Sequence, residues 1–146
     1  MILATTGGYE VDDDAGRLDL AVITGFLRTA YWSAHRSRET VERAVSRSMG
    51  IGLYAGDGSQ VGFARVVTDA TTFAYLADVF VVPEHRGRGL ARFLVRAVLE
   101  HPDLAGVERW MLATADAHGV YEPLGFAAPE DPALFMVRQA ARQTIR

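Results

Sequence analysis

The chain has 146 residues, a formal net charge of −3, 49% hydrophobic and 23% charged residues, and no cysteine, lysine or asparagine. That length and balance suit one domain with a real core; the missing cysteine and lysine exclude disulfides, thiol nucleophiles, cysteine-ligated zinc, a P-loop lysine and Schiff-base chemistry. No apolar run approaches the roughly 20 residues of a membrane span, no secretory signal precedes the first acidic run, and the acidic balance speaks against general nucleic-acid binding, so a cytoplasmic protein with neither a membrane nor a nucleic-acid partner is expected.

Met1 to Gly8 reads as a loose start, and Tyr9 to Asp13 as a first strand leading into a solvated acidic turn, Asp12-Asp13-Asp14, able to attract an amine over distance. Asp19 suits the N-cap of a helix running to about Ala30, with Leu18 and Ile23 as a hydrophobic staple and Val22, Ile23, Phe26 and Leu27 as the buried stripe. Tyr31 and Trp32 close it. Ser37 can cap a second helix that has Glu39 near its positive end and turns Val41, Ala44 and Val45 inward. Ile51 to Ala55 reads as a strand, Asp57-Gly58 as a hairpin turn, and Gln60 to Thr68 as the return strand, apolar on both faces apart from Arg65. After a turn at Ala70-Thr71-Thr72, the fourth predicted strand runs from Phe73 to Val82 with Asp78 as its one charge, and Pro83 ends it.

A third helix has Leu90, Leu94, Ala97 and Val98 on one face and stops before Pro102. Arg109 to Thr114 is the fifth predicted strand. Asp116 is placed to cap a short helix through about Glu122, which Gly119 and Pro123 weaken. Ala133 to Arg138 reads as a final strand, with the tail from Gln139 frayed.

Between the fourth strand and the third helix stands Arg86-Gly87-Arg88-Gly89-Leu90-Ala91. The first amides of a helix lack intrahelical partners, and with the helix dipole they favour an anion. Gly87 and Gly89 permit positive φ, so consecutive N–H groups can curl into a nest around a phosphate, and Arg86 and Arg88 can add charge-assisted bonds. The other reading is a tight strand-to-helix turn with solvated arginines. A dinucleotide fingerprint would need a third glycine where Arg92 stands.

This segment resembles the acyl-CoA motif of the Gcn5-related N-acetyltransferase (GNAT) family, Gln/Arg-x-x-Gly-x-Gly/Ala, matched by Arg86, Gly89 and Ala91. Val120 to Phe126, "VYEPLGF", resembles the family's later Tyr-x-x-x-Gly-Phe signature, and the order of elements agrees from about Tyr9 to Arg138. The resemblance implies an α+β fold with a mixed, mostly antiparallel central sheet flanked by helices, in which the fourth strand bulges and splays from the fifth. It implies acetyl-CoA as cosubstrate, its pyrophosphate on amides of Gly87, Arg88, Gly89, Leu90, Ala91 and Arg92, and its pantetheine arm along Val79, Phe80 and Val81. No metal is implied, and four scattered histidines lack ligand spacing.

Tyr121 is the candidate general acid, because similar enzymes place this tyrosine near the CoA sulfur; the alternative is a core tyrosine bonded to backbone. Asp78 is the candidate general base. Burial between Leu76 and Phe80 would make its carboxylate a better proton acceptor, whereas a cross-strand pair with Arg65 would occupy it, and a water relay serves either arrangement. His118, Asp116 or Thr114 stands where many relatives use an asparagine; His85 is expected to be solvated. Tyr31 and Trp32 are candidates for binding the acceptor, against plain packing of the helix end. The acceptor is a small-molecule amine or a protein N-terminus, acetylated by direct attack in a ternary complex, and the protein is a monomer or homodimer. The rival function is a non-catalytic acyl-CoA sensor.

Overall fold

One sheet, with strands in sequence order, organises the computed structural model, which describes residues 1–140. The elements are β1 (Ile2–Thr6), β2 (Tyr9–Asp12), α1 (Leu20–Leu27), α2 (Arg38–Ser46), β3 (Met49–Tyr54), β4 (Gln60–Thr68), β5 (Phe73–Val81), α3 (Leu90–Leu99), β6 (Arg109–Met111) and α4 (His118–Tyr121). Neighbours are antiparallel from β1 to β5, and β6 lies parallel to β5. The parallel pair follows from its connection, since only a long crossover, here through α3, can return a strand in the same direction.

Strand alternation divides the core between the two faces. Phe63 and Phe80 meet Ile23 and Leu27 of α1 and Val41 and Val45 of α2. The opposite face packs Ile51, Val66, Leu76 and Val81 against Leu90, Leu94 and Val98 of α3. Asp19 caps α1 by accepting from the amides of Ala21 and Val22, and Ser37 Oγ caps α2 by accepting from Thr40 N at 3.1 Å. Helix α1 stops at Leu27, short of Ala30, because its last carbonyls are taken by hydroxyls beyond it. Thr29 Oγ1 donates to Phe26 O and Ser33 Oγ to Leu27 O, each at 2.7 Å.

The start of the chain is a strand, not a loose segment. Gly7 and Gly8 have φ of 49° and 86°, the two positive values of a tight hairpin turn, and they pair β1 with β2. The acidic run is equally ordered. Asp12 is buried and accepts from Arg17 Nη1 at 3.1 Å, and Asp13 lies 2.7 Å from His101 Nε2.

Beyond β6 the expectations give way more often. The strand ends at Met111 rather than Thr114, because only Phe73, Ala74 and Tyr75 of β5 stay beside it. Asp116 does not cap α4; Thr114 Oγ1 holds that turn by accepting from Ala117 N at 3.0 Å. The helix is four residues long and passes at Pro123 into a 3-10 turn, Glu122–Leu124, closed by Gly125 at φ 97°. The expected strand from Ala133 to Arg138 does not form. Asp131 accepts from Ala133 N at 3.2 Å, Pro132 lacks a donor, and a 3-10 turn over Pro132–Leu134 results. Gln139 and Ala140 are exposed coil; the rest of the tail lies outside the described residues.

Candidate active site

A bulge in β5 shapes the site. Its register against β4 runs from Phe63↔Phe80 to Arg65↔Ala77, so Ala64 alone faces Asp78 and Val79. Asp78 takes φ 55°, a left-handed conformation that aspartate tolerates better than most residues. With β6 pairing only as far as Tyr75, the outer edge of β5 is open from Leu76 to Val81. This is the expected bulge and splay.

Backbone alternation identifies the donors on that open edge. Val82 N donates to Val61 O at 2.8 Å on the β4 side, so the Phe80 amide also faces β4 and the Val81 amide faces outward. Val81 O, on the same open edge, accepts from Arg86 Nε at 2.9 Å. Of the three expected arm-binding residues, Phe80 is thereby corrected. Its ring is buried and stacked on Phe26 at 4.1 Å, and its amide belongs to the ladder.

Past a 3-10 turn at Pro83–His85, the glycine loop takes the expected form. Gly87 and Gly89 have φ of 79° and 72°, and Gly89 is the N-cap of α3 without any side-chain cap. An added Cβ at either would meet nothing within 4 Å, so conformation and not crowding calls for glycine. Phe93 N→Gly89 O, at 3.1 Å, is the first intrahelical bond, which leaves the amides of Leu90, Ala91 and Arg92 without helical partners. They border a cavity of about 340 Å³ that reaches from Val81 and Arg86 to Val120. The Arg88 side chain turns out of this groove: its Nη1 donates to Tyr9 Oη at 2.6 Å, and that oxygen lies 2.7 Å from His85 Nδ1. His85 is therefore held by Tyr9 rather than simply solvated.

A second cavity, about 800 Å³, is lined by Trp110, Leu112, His118, Tyr121, Phe126 and Phe135 among others. The amides of Leu90 to Arg92 border the smaller space and Tyr121 the larger one. Tyr121 is buried at 9% exposure, with its ring edge-on to Phe126 at 5.9 Å. Burial pushes its pKa above the ordinary tyrosine value, and Tyr31 and Asp116 push it the same way, so it stays protonated at neutral pH. Among the described residues its hydroxyl has no hydrogen-bond partner, unlike a core tyrosine tied to backbone.

Asp78 sits differently from a free base. Its Oδ2 accepts from Arg65 Nε at 2.7 Å, and its Oδ1 from Trp32 Nε1 at 2.9 Å and Arg36 Nη1 at 3.3 Å. Its side chain is 4% exposed. The pair with Arg65 is realised, with Arg36 and Trp32 added from the α1–α2 connection. Tyr31 is 61% exposed, and its hydroxyl accepts from Ala115 N, beyond β6, at 3.1 Å. Tyr9 and Arg36 had no sequence signal pointing to the site, because both arrive through long-range contacts. Among the described residues no group of histidines and carboxylates is placed to hold a metal.

The assembled features are a helix N-terminus with three amides free of helical partners, one outward strand amide, a protonated phenol and an ionic cluster at Asp78. Comparison with known proteins identifies the family. The model of the acetyltransferase (GNAT) family matches residues 20–126. A crystal structure of a "putative acetyltransferase belonging to the gnat family" from Xanthomonas campestris pv. campestris superposes with a TM-score of 0.87 at 44% identity, over 93% of this chain and 96% of that one. A Gibberella zeae protein named "Putative acetyltransferase" is 31% identical over 134 residues, 77% of this chain and 75% of its own. N-acetylglutamate synthase from Neisseria gonorrhoeae, solved with coenzyme A and N-acetyl-glutamate, shares the fold at a TM-score of 0.68 and 21% identity, over 88% of this chain and 31% of that one.

Proposed function

The chain belongs to the acetyltransferase (GNAT) family, and we propose that it transfers an acetyl group from acetyl-CoA to a primary amine by direct attack in a ternary complex. The observation that carries this reading is continuity: the unpartnered amides of Leu90 to Arg92 border the same groove as Val81, on the open edge of β5. Acetyl-CoA supplies, when bound, a diphosphate for the nest and an acetyl group activated as a thioester.

The residues of the chain then have separable tasks. Amides of Gly87 to Arg92, with Arg86 beside them, hold the diphosphate. The outward amide of Val81 aligns the arm, and the open edge at Val79 and Val81 is the source of a donor for the negative charge developing on the carbonyl oxygen. One such donor is worth on the order of 3 kcal/mol. Holding the amine beside the carbonyl carbon lowers the barrier by ~7–11 kcal/mol in favourable cases. The N–C bond forms as the C–S bond breaks. Tyr121 gives its phenolic proton to the departing sulfur and is reprotonated from solvent.

The amine's own proton leaves through water. Asp78 is a positioning group in this scheme, since Arg65, Arg36 and Trp32 already engage both carboxylate oxygens. The absence of cysteine supports direct attack over an acetylated enzyme thiol.

A coenzyme A release assay over a broad amine panel, run beside a thermal-shift titration, tests the reading. Turnover on at least one amine is expected, and ligand at 100 times its dissociation constant adds ~2.7 kcal/mol of stability. Stabilisation without turnover on any amine would make the protein an acyl-CoA sensor instead.

A further inference from the structure

The cluster around Asp78 holds more positive charge than its carboxylate can neutralise. Two guanidiniums, Arg36 and Arg65, face one carboxylate, with a neutral indole as third donor. Arg65 is nearly enclosed at 12% exposure and spends Nε on Asp78 and Nη1 on Ser48 Oγ. Arg36 is different: its side chain is 30% exposed, and among the described residues its only acceptor is Asp78 Oδ1, through Nη1 at 3.3 Å. A guanidinium offers five N–H donors in a planar fork. Most of that fork is unspent, and it is pinned next to the bulge from which the open edge of β5 begins.

The surroundings narrow what it can take. Tyr31 and Trp32 meet edge-on at 5.1 Å, and Trp32 leans on Phe26 at 6.5 Å, so the wall beside Arg36 is aromatic. A polycation would find the one nearby carboxylate already occupied and a net positive charge beside it. A planar anion would find a fork that matches it and a partly desolvated setting that strengthens the bond.

We propose that Arg36 forms the acceptor's carboxylate subsite, so that the amine acetylated by this enzyme carries a carboxylate near its amino group and an apolar or aromatic side chain. This rests on the acetyltransferase reading above and refines its acceptor.

Matched pairs test it: an α-amino acid against its decarboxylated amine, phenylalanine with phenethylamine and leucine with isoamylamine, at saturating acetyl-CoA. The wild-type protein should favour the carboxylate member in kcat/KM by about 10- to 100-fold, the range of one charge-assisted hydrogen-bonded contact. Arg36→Gln should bring that ratio close to one, and Arg36→Lys, a point charge without the fork, should restore part of it. If the variants do not fold, the wild-type ratios decide alone. Equal or better turnover of the decarboxylated amines overturns the proposal, as does an unchanged ratio in a folded Arg36→Gln. So does a protein that binds acetyl-CoA in calorimetry yet acetylates neither member of any pair. Failure to bind acetyl-CoA at all is a different result and removes the acetyltransferase reading itself.

Discussion

Replacing Asp78 with asparagine removes the one negative charge that two arginines share, and the structure sets the size of the effect. The carboxylate is 4% exposed, Arg65 12% and Arg36 30%. Removing one partner of a buried ion pair costs about 3–5 kcal/mol, because the remaining charge stays buried without compensation. Arg36 can turn part of its guanidinium to water, and asparagine keeps an acceptor for the Trp32 indole, so the lower end applies: about 3 kcal/mol. For a chain of this length that corresponds to a fall in Tm of about 6–12 °C. Urea denaturation followed by circular dichroism measures it. A cycle with Arg65→Gln should show a coupling of about 1–3 kcal/mol, since the double variant no longer strands the Arg65 charge. The pH–rate profile should keep its midpoint, because the amine's proton leaves through water. A loss below about 0.5 kcal/mol, the size of an ordinary surface substitution, would refute the electrostatic account. A displaced midpoint in a stable variant would return the base role to Asp78.

Tyr121→Phe should lower kcat by about 10²–10⁴-fold, the range for a lost general acid, with acetyl-CoA affinity unchanged in calorimetry; unaltered turnover removes the role. Because burial raises that phenol, the wild-type alkaline decline in kcat should lie above the ordinary tyrosine range. Gly89→Ala forces a Cβ onto φ 72° and should cost about 1–2 kcal/mol in denaturation, together with weaker coenzyme A binding. Tyr54 is 1% exposed, its hydroxyl has no hydrogen-bond partner among the described residues, and burial pushes its pKa up to about 12 from an ordinary value near 10. The neutral phenol is favoured in the folded state, so its contribution is intact below pH 10 and fades as pH rises towards 12. The loss amounts to about 2.7 kcal/mol. Tyr54→Phe should flatten that alkaline decline and be neutral or up to about 1 kcal/mol more stable at pH 7.

Local chemistry made much of this fold legible. Asp19 and Ser37 cap the helices that their sequence contexts indicate, and the apolar spacing of Leu90, Leu94, Ala97 and Val98 marks the buried face of α3. The glycine loop could be read because its requirement is conformational and lies within a few residues. Gly7-Gly8 carried the same kind of signal for the first hairpin, yet β1 is a short strand at the sheet edge whose residues are exposed or only partly buried, so no apolar alternation marks it. The apolar run from Ala133 to Val137 misleads for the opposite reason: Asp131 and Pro132 impose a turn that strand propensity does not overcome. The ionic arrangement at the site stayed out of reach. Arg65 can be paired with Asp78 from strand register, but Arg36 and Trp32 lie 42 and 46 residues from Asp78, and only the packing of α1 and α2 on the sheet brings them there. Tyr9, 79 residues from Arg88, turns that arginine away from the groove by the same kind of contact.

Isothermal titration of acetyl-CoA and of free coenzyme A into the folded protein tests the central claim most directly. The account predicts saturable heat with one site per chain for both ligands, weakened in Gly89→Ala. No heat from either ligand at millimolar concentration would contradict it.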